Sequence, residues 1–126
     1  MAKSSVRYIV NDVDPAIAFY TTHLGFHLDM HPAPTFAILS LDDLQLFLSA
    51  TSGPGGGSRT LAGGRRPEPG GWNRFVVIVE NLQSDVDRLR AAGIQFRSDV
   101  IEGVGGNQVL IEDPSGNPIE LFQYKK

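Results

Sequence analysis

The stretch FVVIVENLQSDVDRLRAAGI, Phe75 to Ile94, decides the fold. Phe75 to Val79 is a run of β-branched and aromatic residues, which predicts a strand. Leu82, Val86 and Leu89 then recur at helical spacing, and Gly93 follows as the residue that ends a helix in the left-handed conformation. Earlier in the chain, VRYIVNDVDPAIAFYTTHLG, Val6 to Gly25, has the same order. Val6 to Val10 predicts a strand, Asp14 an N-cap with Pro15 at the first helical position, Ile17, Tyr20 and Leu24 a helical stripe, and Gly25 the stop. Setting Val13 against Leu82 aligns the two first strands, and one gap brings Gly25 onto Gly93.

Outward from each strand and helix come three more strand-like runs. In the first half they are Phe26 to Met30, Phe36 to Leu41 and Leu44 to Leu48, the last two joined by the turn Asp42-Asp43. In the second half they are Ile94 to Val100, Gln108 to Glu112 and Ile119 to Tyr124, with Asp113-Pro114-Ser115-Gly116-Asn117-Pro118 as a turn. The order is βαβββ twice, an α+β fold. At 126 residues the chain suits a single domain spanning 1–126, with module 1 over about 4–50 and module 2 over about 73–124. Between them Ser52 to Gly71, rich in glycine and proline, reads as a linker. Its Arg59, Arg65 and Arg66 suggest either a plain tether or a flap over an anionic or polar ligand.

Apolar residues make up 41% and charged residues 20%, without a long uncharged apolar run, so neither disorder nor a membrane span is indicated. A net charge of -3 with no basic stripe argues against nucleic acid as a partner. The absence of cysteine excludes a disulfide scaffold, a thiolate metal site and a Cys nucleophile. The opening Met1-Ala2-Lys3-Ser4-Ser5 shows no signal-peptide core, so a cytoplasmic protein is expected.

Several motifs together resemble the vicinal oxygen chelate superfamily of glyoxalases, bleomycin-resistance proteins, fosfomycin-resistance enzymes and extradiol dioxygenases. They are Asn11-Asp12-Val13-Asp14 leading into Ala18-Phe19-Tyr20, His23-Leu24-Gly25-Phe26, Leu89-Arg90-Ala91-Ala92-Gly93-Ile94, and the closing Asp113 to Leu121. The resemblance covers nearly the whole chain. It implies paired βαβββ modules forming a curved mixed sheet around a ligand cup between them, and a homodimer. Metal-dependent relatives take a His from the first strand of each half and a Glu from a terminal strand, leaving positions open for two substrate oxygens. Those positions fall here on Ser5, Arg74 and Glu120, with Gln45 as the nearest candidate for a fourth. Only Glu120 matches a family ligand, so no metal or other cofactor is expected.

Strand alternation places Arg74, Val76 and Ile78 on the cup face, together with Ser5, Arg7 and Ile9 of the first strand and Glu120 and Phe122 of the last. A carboxylate there needs a partner, which predicts an Arg74 to Glu120 ion pair in place of a metal. The candidate ligand-binding residues are Arg7, Trp72, Arg74, Gln108, Glu120 and Phe122, with Glu120 the candidate catalytic group. The first functional reading is a metal-independent binder of a small polar or aromatic molecule. The alternative is a glyoxalase-type lyase or dioxygenase, with a divalent metal at an atypical site or with Glu120 as a metal-free base. Pairing with Arg74 would handicap that base.

Three other groupings have simpler readings. His27, Asp29 and His31 share a face if Phe26 to His31 is a regular strand, and then resemble a ligand trio, but a solvated edge opposite a buried face of Phe26, Leu28 and Met30 explains them better. His23 suits the C-terminal turn of a helix. Asp12 and Asp14 suit its start, and no Gly-x-Ser-x-Gly elbow or phosphate loop is present.

Overall fold

Alternating burial along the strands sets the architecture of each half. The computed structural model describes residues 4–51 and 60–125. They divide between two compact units, Met1–Gly70 and Gly71–Lys126.

In the first unit β1 (Ser5–Val10) leads into α1 (Val13–His23), followed by β2 (His27–Ala33), β3 (Phe36–Leu41) and β4 (Leu44–Ala50). The sheet order is β1-β4-β3-β2, with β1 parallel to β4 and the rest antiparallel. Tyr8, Val10, Ala37, Leu39, Leu46 and Leu48 are buried on one face, where α1 presents Val13, Ala16, Phe19 and Tyr20. Each fully buried leucine contributes about 1.5–3 kcal/mol relative to leaving it in water. Gly25, at φ 74, turns the chain out of α1 into β2.

The second unit repeats the plan: β5 (Val76–Ile78), α2 (Leu82–Ala91), β6 (Ile101–Glu102), β7 (Gly106–Glu112) and β8 (Pro118–Tyr124). Its sheet order is β5-β8-β7-β6, with β5 parallel to β8. Leu82, Val86 and Leu89 of α2 are buried, as their spacing predicts, and α2 packs on β8. Asn81 caps the helix by accepting from the Ser84 amide at 3.0 Å, and Gln123 Oε1 of β8 accepts from the Leu82 amide at 2.7 Å. Two amides that an isolated helix leaves open are thereby satisfied. No helix among the described residues is long and apolar enough to cross a membrane.

Three local expectations are corrected. Helix α1 begins at Val13, so Asp12 rather than Asp14 takes the N-cap position, and its side chain makes no capping bond. Pro15 is accommodated because the first turn leaves its amide positions unbonded anyway. The strand expected over Ile94 to Val100 reduces to one bridge, Phe96 to Ile111, and regular pairing resumes only at Ile101. There the Leu110 amide is taken by Ser98 Oγ at 3.0 Å, so a side chain substitutes for a ladder carbonyl. Thirdly, β2 carries register shifts between Leu28 and Met30 and between Met30 and Ala33. The expected apolar face of Leu28 and Met30 is therefore broken, and Met30 is exposed.

Candidate functional site

Each sheet has one face under its helix and one open face, and Arg7, Gln108, Glu120 and Phe122 lie on the open faces, whereas Trp72 precedes β5. In the second unit the register pairs Val76 with Glu120, Ile78 with Phe122, Leu110 with Glu120 and Gln108 with Phe122. Paired residues share a face, so Val76, Ile78, Gln108, Leu110, Glu120 and Phe122 form one surface. Val76 is 46% exposed and Ile78 53%, whereas Phe75 on the helix side is buried.

The predicted ion pair is present on this surface. Arg74 Nε donates to Glu120 Oε1 at 3.0 Å and Nη2 lies 2.9 Å from the same oxygen. Arg74 Nη1 also donates to the Trp72 carbonyl at 3.3 Å. Both guanidinium contacts with the carboxylate converge on Oε1 and leave Oε2 outside the pair. The result is a neutral pair with acceptor and donor capacity left over, set among apolar side chains.

Trp72 is placed by a residue that the sequence reading did not single out. Arg97 stacks its guanidinium 4.7 Å from the Trp72 ring centroid. Its nitrogens reach Glu112 Oε2 at 2.9 Å, the Gly71 carbonyl at 2.6 Å and the Gly116 carbonyl at 2.8 Å. The guanidinium thus ties the entry of the second unit to the β7–β8 turn. That turn holds itself through Asp113, whose Oδ1 accepts from the amides of Ser115 and Asn117, both at 2.9 Å. The available signal for Arg97 was that it is the one cation within the strand-like segment Ile94 to Val100.

In the first unit, β1 pairs with β4 to set Ser5 beside Gln45, Arg7 beside Phe47 and Ile9 beside Ser49. Ser5 Oγ donates to Gln45 Oε1. Arg7 Nη1 donates to Ser49 Oγ at 3.0 Å, and its guanidinium carbon lies 5.3 Å from the Phe47 centroid and 5.9 Å from that of Phe36.

The histidine trio is not assembled. His27 Nδ1 meets Asp29 Oδ1 at 2.8 Å and Ser40 donates to the same oxygen at 3.1 Å. His31 Nε2 instead lies 3.7 Å from Asp14 in the first turn of α1. The β2 register shifts send these side chains to different faces. Among the described residues no group of three or more His, Asp or Glu side chains is placed to hold a metal. In the linker, Arg66 donates to the Thr51 carbonyl at 3.2 Å, while Arg59 lies outside the described residues. An open cavity of about 650 Å³ in the first unit is lined by Asn11, Thr51, Arg66 and Glu68 among others, not by the candidate residues.

A family model for the Glyoxalase/Bleomycin resistance protein/Dioxygenase superfamily matches residues 4–121. The chain belongs to that superfamily. Solved structures agree in fold. Lactoylglutathione lyase from Agrobacterium tumefaciens superposes with a TM-score of 0.73 at 22% identity, over 97% of this chain and 92% of that one. TioX from Micromonospora sp. ML1 gives 0.76 at 18% identity, over 99% and 100%. TnmS3, an antibiotic binding protein from Streptomyces sp. CB03234, gives 0.71 at 22%, over 99% and 97%. No curated protein matches the chain by sequence.

The sequence resemblance puts the ligand positions of metal-dependent members on Ser5, Arg74 and Glu120. Here they are a serine hydroxyl engaged with Gln45, a guanidinium and one carboxylate. Arginine has donors only and stays protonated, so it cannot ligate a cation and repels one. This donor set does not fit a divalent metal.

Proposed function

We propose that this superfamily member binds a small polar or aromatic molecule on the open faces of its sheets without a divalent metal. Arg7, Arg74, Gln108 and Glu120 supply the polar contacts, and Trp72 and Phe122 the apolar walls, the usual balance of a few polar groups on an apolar surface. The carrying observation is the Arg74 to Glu120 pair: it puts a fixed positive charge at a position where metal-dependent relatives need a ligand. The likeness in fold to a protein described as antibiotic-binding is in keeping with this reading. The family resemblance adds a homodimer, which light scattering in solution tests.

The deciding experiment measures metal content on protein purified without chelator, then melting temperature against a panel of antibiotics beginning with bleomycin, with and without EDTA. Saturable stabilisation that survives EDTA and is lost in Arg74→Met is expected. Stoichiometric metal that persists through dialysis, or binding abolished by EDTA, overturns the proposal.

A further inference from the structure

We infer that the open face of the first sheet is a subsite for the anionic group of a ring-bearing small molecule, anchored by Arg7. The inference rests on the small-molecule reading above and assigns a ligand class to the first-sheet part of that site. Arg74, Arg88, Arg90 and Arg97 each meet a carboxylate. Arg7 meets none among the described residues: its contacts are Ser49 Oγ and the faces of two phenylalanines. Among the described residues only one of its five N–H donors is used.

The guanidinium is nevertheless held in place. Ser49, its hydrogen-bond partner, is 2% exposed and lies on the interior strand β4. The Phe36 and Phe47 rings meet edge to face at 5.4 Å, and the cation over them gains a further attraction. A cation fixed on an apolar floor, with donors to spare, matches a planar anion bidentately.

The floor sets the rest of the ligand. The register sets Ile38 beside Phe47, and Met30 beside Ile38, on the same face as Arg7. Met30 is 55% exposed. An inorganic anion would leave this apolar surface in water, whereas an acid carrying a ring covers it. Asp29 is bonded to His27 and Ser40.

Benzoate, its neutral isostere benzamide and the cation benzylamine are the probes, followed by backbone amide-shift NMR on the full chain. Benzoate is expected to perturb Arg7, Phe36, Phe47 and Ser49 saturably, and the other two are not. Arg7→Gln weakens benzoate roughly tenfold or more, the worth of a charge-assisted hydrogen bond, and Arg7→Lys retains part of the affinity. The dispersion of each variant's spectrum reports whether it folds. Equal perturbation by benzamide, unchanged affinity in Arg7→Gln, or no response up to high millimolar benzoate overturns the inference. Benzoate shifts confined to Arg74 and Glu120 also overturn it, while leaving the binding proposal standing. Loss of antibiotic binding in Arg74→Met with benzoate at Arg7 intact supports both.

Discussion

Replacing Arg74 with methionine keeps the aliphatic stem and deletes the guanidinium. The Glu120 side chain is 11% exposed and that of Arg74 26%, with the contacts at 2.9 and 3.0 Å converging on one oxygen. Leaving one member of a fully enclosed pair alone costs about 3–5 kcal/mol. Here water can reach Oε1 once the guanidinium has gone, so the expected loss is about 2–3 kcal/mol. For a chain of this size that lowers Tm by roughly 6–15 °C. The double variant Arg74→Met, Glu120→Leu removes the stranded charge as well and is expected within about 1 kcal/mol of the parent. Urea denaturation followed by far-UV circular dichroism measures all three proteins. If Arg74→Met lies within about half a kcal/mol of the parent, or if the double variant is no more stable than the single one, the account of Glu120 as a carboxylate dependent on Arg74 is wrong.

Gly106→Ala is expected to destabilise by about 2–3 kcal/mol through overpacking, because the new Cβ would sit 2.2 Å from the Gln123 carbonyl oxygen and 2.8 Å from Phe122 Cζ; a melt unchanged from the parent refutes the clash. Arg97→Lys should free the Trp72 ring, already 68% exposed, to reorient, since an ammonium cannot stack on the indole while reaching three acceptors in a plane. With one tryptophan in the chain the fluorescence reports that ring alone, and an unaltered fluorescence anisotropy counts against the latch. Asn81→Ala removes the cap on Ser84 and should cost about 1 kcal/mol, with Gln123 still on the Leu82 amide; no change in the urea midpoint would show that the cap contributes nothing.

The repeat and its faces were legible because they rest on local chemistry. Alternation in Phe75 to Val79 separates a buried from an open side, and Gly25 and Gly93 both adopt the positive φ their positions suggested. The same alternation brought Arg74 to Glu120. What escaped depends on long-range or irregular pairing. The β2 register shifts that part His31 from His27 follow from how that strand meets β3, which no spacing within His27 to His31 reveals. Arg97 draws its three oxygen partners from Gly71, Glu112 and Gly116, separated widely along the chain. The partners of Arg7 were closer to hand: a hairpin centred on Asp42-Asp43 sets Phe36 opposite Ser49 and Ile38 opposite Phe47, the register observed. With that, the aromatic floor could have been read from the turn.

In both sheets the strand that comes last in its module takes an interior place: β4 lies between β1 and β3, and β8 between β5 and β7. During synthesis Val76–Ile78 therefore emerges without its hydrogen-bonding neighbour and waits, on the order of seconds at ordinary elongation rates, until Pro118–Tyr124 arrives. The first module can close around Leu44–Ala50 while the ribosome is still making the second. A nascent chain halted before residue 118 would thus hold one finished sheet and one lacking the strand that joins β5 to β7, with the apolar edge of β5 offered to whichever chaperone or neighbouring chain meets it first.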